Sequence, residues 1–294
     1  MGARDPLARA TTSPAPGSEP RAFDFSQHDF ERVRRIIFKL AGIDLNGSKQ
    51  NMVYSRLTRR LRARGIDTFG RYLDQLENSA EFSGQERQEF VNSLTTNLTS
   101  FFREEHHFPV LTQFLKSCPP GRPVRIWCAA ASTGEEPYSI AMTIVEALGQ
   151  GSAARVLATD IDTQVLTGAS RGVYRDQTAR ACGDKRLHRF FLRGTGANAG
   201  TVRVRPELAK LVEFGQLNLL DSGWPLLDRF GPQVDAVFCR NVMIYFNRVT
   251  QHAILERIAG VLRPQGLLFA GHSENFTDCR DWFVPRGKTV YERL

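Results

Sequence analysis

RIWCAAASTGEEPYSIAM, residues 125–142, predicts a buried strand, a turn of small residues and then a helix. Gly134 is the only glycine in it, and two carboxylates, Glu135 and Glu136, follow in the first turn of the helix. A loop that holds phosphate offers the anion backbone N–H groups and the positive end of a helix dipole. Two acids at that position would repel phosphate, so the loop suits a ligand that is cationic or rich in hydroxyl groups.

The composition predicts a globular protein of the reducing cytosol. The chain has 294 residues, 41% of them hydrophobic, and its five cysteines are scattered without a CxxC pair. Such spacing favours neither a disulfide framework nor a zinc site, and we expect no bound metal. Residues 1–22 are rich in Pro, Ala, Ser, Thr and Arg, which predicts a disordered tail. No run approaches the roughly 18 apolar residues of a membrane helix.

Positive charge is concentrated near the amino terminus. The formal net charge is +8, and residues 32–64 contain ten Lys/Arg against one acid, Asp44. This density predicts an acidic partner, which could be a nucleic acid, an anionic lipid or an acidic protein surface.

Helical periodicity dominates residues 23–95, where we predict helices over residues 25–42, 48–64, 69–78 and 85–94. In the first helix Ser26 and Asp29 have the spacing of a capping box. In the second, an apolar stripe faces inward while Arg56, Arg59 and Arg60 fall within about 100° of one another on the opposite side.

After residue 120 short apolar runs alternate with helical patterns, which predicts an α/β sheet covered by helices on both faces. The expected strands are residues 124–129, 155–159, 211–214, 234–239 and 266–270; the clearest helices between them are residues 138–148, 163–171 and 249–262. Residues 189–193 and 202–205 flank GTGANAG and predict a β-hairpin inserted into this fold.

Asp160 ends the second expected strand, 25 residues after Glu135. An acid at this position binds ribose hydroxyls in α/β nucleotide folds, although Asp160 could instead cap the helix near Thr163. The GxGxxG and Walker motifs are both absent. S-adenosylmethionine fits these constraints, because its sulfonium is cationic and its ribose needs an acceptor. Glu135 could face the cationic end of that ligand or only satisfy the helix dipole.

Five motifs, in one order along the chain, resemble the chemotaxis receptor methyltransferases of the CheR family: TNLTSFFREEHHF (96–108), ASTGEEPYSIAM (131–142), ATDID (158–162), FCRNVMIYF (238–246) and LLFAGHSENF (267–276). The resemblance implies a protein-glutamate O-methyltransferase that uses S-adenosyl-L-methionine and leaves S-adenosyl-L-homocysteine. It also implies a Rossmann-like methyltransferase domain over residues 96–294, with a small β-subdomain at about 188–210. An all-α receptor-recognition domain would precede it over residues 23–95.

The resemblance also assigns residues. Arg103 and Tyr245 would be catalytic, and the cofactor would be bound by Asn97, Thr99, Arg103, Glu135, Asp160, Asn218, Leu219, Arg240 and Asn241. Arg103 could instead form a salt bridge to Glu104, and Tyr245 could be a core aromatic. The family usually has serine where Cys128 stands and cysteine where Ala131 stands. This exchange of small residues casts doubt only on a functional role for a thiol at these positions.

The expected partner is the cytoplasmic helical region of a chemoreceptor, whose glutamates would meet Arg56, Arg59, Arg60 and Arg62. The inserted hairpin resembles the subdomain that, in some relatives, adds a receptor's C-terminal tail peptide to its edge. We expect a cytoplasmic monomer.

Two alternative functions remain open. A nucleic-acid methyltransferase would suit the basic charge but lacks the Pro-Pro pair after Asn241, and a module that binds S-adenosylmethionine without chemistry would share the same motifs.

Overall fold

A helical region forms the amino-terminal part of the protein in the computed structural model, which describes residues 23–78 and 84–294. The tail predicted for residues 1–22 lies outside the described residues. The helices are α1 Gln27–Ala41, α2 Gln50–Arg64, α3 Phe69–Asn78 and α4 Gly84–Leu94. The predicted capping box closes the start of α1, and a 3₁₀ turn at Gly47–Lys49 delays the start of α2 by two residues relative to the prediction.

The apolar stripes of α1 and α2 form a hydrophobic core that is separate from the rest of the molecule. Phe30, Val33 and Ile37 of α1 are fully buried, as are Val53 and Leu57 of α2. Burial of each such side chain is worth about 1.5–3 kcal/mol, and it outweighs the weak helix propensity of the β-branched residues.

A seven-stranded sheet forms the centre of the second part, with strand order β6-β2-β1-β7-β8-β10-β9. Its strands are β1 Arg125–Cys128, β2 Arg155–Asp160, β6 Val212–Gln216, β7 Val234–Cys239, β8 Leu262–Ala270, β9 Phe283–Gly287 and β10 Val290–Arg293. The first five strands in that order are parallel, whereas β10 runs antiparallel to both β8 and β9.

Helices cover both faces of this sheet: α5 His107–Ser117, α6 Glu135–Leu148, α7 Thr163–Arg171, α11 Pro225–Phe230 and α12 Arg248–Val261. Ile126 of β1 belongs to a core shared with α5 and α6, while its neighbour Trp127 belongs to the opposite core shared with α11 and α12. The alternation of β1 side chains therefore confirms the predicted doubly covered sheet. Within the described residues no helix combines the length and apolarity needed to cross a bilayer.

The inserted hairpin is part of a separate three-stranded sheet of order β3-β5-β4, built from β3 Val173–Arg175, β4 Phe191–Arg193 and β5 Thr201–Val204. Three short helices accompany it: α8 Asp176–Ala179, α9 Asp184–Phe190 and α10 Pro206–Ala209. The antiparallel pairing of β4 with β5 confirms the predicted hairpin, and β3 is an addition that the sequence did not indicate. Gly194 is required in the turn, because a Cβ there would collide with the backbone carbonyl oxygen of Asn198.

Candidate functional site

The site lies at the carboxyl end of β1, where the order of the sheet reverses. Strand β1 pairs in parallel with β2 on one side and with β7 on the other, which creates the crevice in which open α/β sheets bind ligands. A cavity of about 390 Å³ opens there, between the sheet and the helical region. Its wall includes nine of the ten residues predicted for the site: Asn97, Thr99, Arg103, Asp160, Asn218, Leu219, Arg240, Asn241 and Tyr245.

The turn after β1 needs its single glycine. Gly134 has a φ of 96°, and a Cβ there would lie 2.7 Å from the Tyr174 hydroxyl and 2.9 Å from the Ala169 Cβ. Ser132 also has a left-handed backbone, with a φ of 49°, and its N–H donates to Asp160 Oδ2 at 2.8 Å. This turn therefore joins the ends of β1 and β2 on the cavity wall.

Asp160 is a buried carboxylate at the end of β2, and it accepts backbone N–H groups from Ser132 and Asp162. Burial raises its pKa, and these hydrogen bonds only partly oppose the rise. The alternative role as a helix cap belongs to Asp162 instead, whose Oδ1 accepts the N–H groups of Gln164 and Val165. The lone pairs of Asp160 that these bonds do not use can accept from ligand hydroxyls.

Glu135 does not line the cavity, which departs from its predicted contact with the cofactor. Its Oε2 accepts the Thr133 hydroxyl at 2.5 Å, and burial raises its pKa. Glu136 lines the cavity instead. Because successive residues of a helix point about 100° apart, only one of the two acids at the start of α6 can face the cavity.

Arg240 is the buried cation of the site. Its guanidinium lies 2.5 Å from Glu136 Oε2 and 3.2 Å from Glu104 Oε2, and it donates to the Arg103 carbonyl at 2.6 Å. Burial lowers the pKa of Arg240, but the two carboxylates overcome that effect and raise it. Arg240 therefore pairs with two acids and joins α6 to the segment before α5.

Arg103 and Tyr245 both face the cavity, and the structure decides the alternatives considered for them. Arg103 donates to the Leu98 carbonyl at 2.8 Å, while Glu104 pairs with Arg240 and not with Arg103. Tyr245 is half-buried on the cavity wall, so the alternative of a core aromatic is wrong.

Two predicted cofactor residues also hold the helical region in place. Asn218 donates through Nδ2 to the Leu40 carbonyl at 2.9 Å, and Asn97 donates to Asp162 Oδ2 at 2.8 Å. The sequence left open which of Glu135 and Glu136 contacts the cofactor, and it did not indicate Asp162 or Glu104, whose carboxylates bind Asn97 and Arg240. The only signal for Asp162 and Glu104 was that each lies within two residues of a residue already chosen.

The donor set fits an adenosine-like cation. Asp160 offers a buried carboxylate for hydroxyl groups, and the apolar side chains of Ile161, Leu219 and Val242 line the same wall. Glu135 and Glu136 occupy the first turn of α6, where they oppose binding of an anion by the helix N-terminus. The Arg240 guanidinium is already paired with a carboxylate. S-adenosylmethionine meets these requirements.

Glu104, His106 and His107 are grouped near this site, with their ligand atoms within 4.8 Å of one another. The two histidines do not diverge along one helix, because α5 begins at His107 and the two rings have centroids 4.2 Å apart. The Arg240 guanidinium, 3.2 Å from Glu104, nevertheless opposes a cation there. His272 Nδ1 lies 3.0 Å from Glu104 Oε1, so the imidazole makes a structural hydrogen bond to this carboxylate.

The four arginines predicted on the basic face of α2 fall into two groups. Arg56 donates to the Thr95 carbonyl at 2.5 Å, and Arg60 pairs with Glu86 at 2.6 Å, so both bind within the helical region. Arg59 and Arg62 are exposed. Of the four arginines predicted to contact a receptor, these two are therefore the exposed ones. Helix α4 and Thr95, which follows it, supply the acceptors for Arg56 and Arg60.

Two protein-family models match the chain: "CheR methyltransferase, all-alpha domain" over residues 28–95 and "CheR methyltransferase, SAM binding domain" over residues 97–291. "Chemotaxis protein methyltransferase 2" of Pseudomonas aeruginosa is 49% identical over 283 residues, which cover 96% of this chain and 98% of that protein. The "Chemotaxis protein methyltransferase" of Salmonella typhimurium is 51% identical and covers 90% of each chain. Its namesake in Escherichia coli is also 51% identical, covering 90% of this chain and 91% of that one.

Proposed function

Because the chain belongs to the CheR methyltransferase family, we propose that it transfers a methyl group from S-adenosylmethionine to glutamate carboxylates of chemotaxis receptors. The products would be glutamate methyl esters and S-adenosylhomocysteine. The observation that carries the proposal is the cavity beside β1, whose wall combines Asp160 with Arg103 and Tyr245.

In this proposal the residues of the chain position the reactants and exclude water. Asp160 accepts the ribose hydroxyls, and Glu136 with Arg240 supports that wall. The substrate carboxylate is already ionised near pH 7, so no general base is needed. Arg103 holds it through charge-assisted hydrogen bonds, and Tyr245 orients it. When bound, S-adenosylmethionine supplies a methyl group on a sulfonium whose thioether leaves readily. Positioning of this kind can be worth about 7–11 kcal/mol.

The test is incubation with methyl-labelled S-adenosylmethionine and membranes that contain chemoreceptors, followed by mild base. Carboxyl methyl esters release volatile methanol, whereas methylated bases and bound cofactor do not. We expect label that is released by base and that is lost with Tyr245→Phe or Arg103→Ala. Label only in added nucleic acid, or cofactor binding without any transfer, would instead support one of the two alternatives.

For recognition of the receptor we propose two surfaces. Exposed Arg59 and Arg62 of α2 would face the acidic helices that carry the glutamates. The second surface is the edge of β4, which is an outer strand of the small sheet. Residues 171–210 contain ten Lys/Arg against three acids, so an acidic tail peptide would be attracted to it.

The β4 edge has a specific geometry to test. Gly194 donates its N–H inward to the Thr201 carbonyl, so by alternation along the antiparallel pair the N–H of Arg193 points to the free edge. Arg193→Pro should abolish binding of a receptor tail peptide, because it removes this donor together with the charge. Arg193→Ala keeps the donor and should only weaken binding. Equal binding by both variants and the parent would exclude strand addition at β4.

We also propose a cytoplasmic monomer. All five cysteines are free, as expected in a reducing compartment.

A further inference from the structure

Glu274, in the loop after β8, places a buried carboxylate beneath the wall of the cavity. Its side chain is 4% exposed. Oε2 accepts the backbone N–H groups of Asn241 at 2.9 Å and Gly271 at 2.6 Å, and Oε1 accepts the N–H of Met243 at 2.8 Å. One carboxylate therefore joins the loop after β8 to the loop after β7.

The loop held in this way is a large part of the cavity wall. Arg240, Asn241, Val242, Ile244 and Tyr245 all line the cavity. This stretch has an irregular backbone, with a φ of 57° at Asn241 and a 3₁₀ turn at Met243–Tyr245. A left-handed non-glycine residue persists only where its surroundings impose it. Two of the three N–H donors to Glu274 belong to this stretch: the left-handed Asn241 itself, and Met243 two residues later.

The hydrogen bonds from the backbone N–H groups to Glu274 are strong because the acceptor is a buried carboxylate. Burial raises the pKa of Glu274, and the N–H bonds from Gly271, Asn241 and Met243 oppose that rise. Among the ion pairs of the described residues none involves Glu274, so its charge is balanced by oriented backbone dipoles. Bonds of this kind are stronger than neutral hydrogen bonds. Close packing reinforces them, because a Cβ on Gly271 would collide with the Asn241 side chain.

We propose that Glu274 is a positioning residue for methyl transfer: its carboxylate fixes the backbone of Asn241–Met243 and thereby sets Asn241 and Tyr245 against the bound cofactor. The inference rests on the proposed function where it concerns Tyr245. Its effect on cofactor affinity does not depend on the identity of the methyl acceptor.

The test is calorimetric titration of the full chain with S-adenosylhomocysteine, together with the receptor methylation assay. Glu274→Gln keeps the shape but turns an N–H donor toward one of the backbone N–H groups. Loss of one charge-assisted bond predicts an increase of about tenfold in Kd at unchanged stoichiometry. We expect kcat to fall and the KM for receptor to stay constant, because the two recognition surfaces do not move.

Asp235→Asn is the matched control. Asp235 is equally buried at the other end of β7, where it accepts the Arg125 N–H and pairs with Arg122 and Arg263. This change should lower the melting temperature and leave the Kd of the folded molecules within about twofold, since no loop of the site is touched. A merely structural Glu274 would behave like this control, with reduced stoichiometry and normal Kd, and that result would overturn the proposal.

Glu274→Asp covers the case in which Glu274→Gln does not fold. It keeps the charge but is one methylene too short to reach Met243 together with Gly271, so we expect a Kd between those of the parent and the Gln variant. A parental Kd and kcat for Glu274→Asp would also overturn the proposal. Receptor methylation absent from the parent protein would refute only the proposed function, because the Kd comparison is made without receptor.

Discussion

The backbone N–H of Asp44 donates to the backbone carbonyl of Tyr245 at 2.8 Å. This bond joins the segment after α1 to the residue proposed to orient the methyl acceptor. Gly42 lies two residues earlier with a φ of 69°, and a Cβ there would lie 2.9 Å from Leu220 Cδ1 and 3.1 Å from Phe246 Cδ1. The helical region thus touches the β7 loop at a point where any side chain would have to displace Leu220 and Phe246.

Gly42→Ala should therefore damage both stability and the site. The left-handed backbone costs about 1–2 kcal/mol for a non-glycine residue. Overpacking against Leu220 and Phe246 adds about 1–3 kcal/mol. We expect a lower free energy of unfolding in urea and a raised Kd for S-adenosylhomocysteine, because the contact with Tyr245 shifts.

Gly65→Ala is the control for Gly42→Ala. Gly65 ends α2 with a φ of 63°, and a Cβ there would extend into open space, so only the backbone cost applies. Its Kd for S-adenosylhomocysteine should equal that of the parent. Equal effects of the two changes on Kd would disprove a specific contact between the helical region and the β7 loop.

Asp160→Asn should weaken cofactor binding. The amide can keep only one of the two acceptor positions that Ser132 and Asp162 use, and its NH₂ group faces a donor. Loss of a charged acceptor for a hydroxyl group is worth about 1.5–3 kcal/mol, which corresponds to roughly a 10- to 150-fold rise in Kd. Calorimetric titration with S-adenosylhomocysteine measures this rise in Kd. A Kd within twofold of the parent value would argue against ribose binding by Asp160.

His107 should make the protein less stable as the pH falls. Burial, with the nearby charge of Arg240, lowers the pKa of His107 from 6.5 to about 4. The unfolded chain therefore binds a proton more readily than the folded one, and stability present above pH 6.5 is lost toward pH 4. Between pH 7 and pH 5 the parent should lose about 2 kcal/mol more than His107→Gln. Urea unfolding at both pH values measures the difference, and equal losses would contradict a buried neutral imidazole.

Reversal of charge at Arg59 and Arg62 should impair receptor recognition alone. Arg59→Glu with Arg62→Glu should raise the KM for receptor by roughly three- to tenfold, and added salt should reduce the difference. Arg60 is left intact, because a glutamate there would face Glu86.

The control for this pair is Lys116→Glu with Arg280→Glu. It changes the net charge equally, at two exposed side chains that lie outside both proposed recognition surfaces. Both double variants should keep the parental Kd for S-adenosylhomocysteine. A similar rise in KM for both pairs would mean that overall charge, and not the α2 surface, attracts the receptor.

Local sequence signals located most elements of the fold. The predicted limits of α3, α7 and β7 agree with the structure, because a capping residue, a glycine or an apolar run marks their ends. Strands β3, β9 and β10 were missed. Each is only three to five residues long, which is too short for a clear local period, and β3 pairs with β5 across the inserted segment.

The candidate site was likewise only partly predictable from the sequence. Strand-end position was enough to select Asp160, because parallel strands bring their carboxyl ends to one edge of a sheet. Arg240 and Asn241 line the same cavity, but only the family resemblance selected them. Helical periodicity could not say that Glu136 rather than Glu135 faces the cavity, nor that Arg60 binds Glu86. Those outcomes depend on which neighbouring element packs against each face.

The sequence by itself determined the family, the ligand class and the doubly covered sheet, since these follow from motif order, from the acids after Gly134 and from apolar periodicity. Only the tertiary structure decided which charges remain free. Acceptors that lie from 26 to 137 residues away along the chain bind the side chains of Arg56, Arg60 and Arg240. The side chains of Arg59 and Arg62 stay exposed. The physical reason is that a charge costs free energy when it is buried, so a partner must be brought to it, and only packing determines where burial occurs.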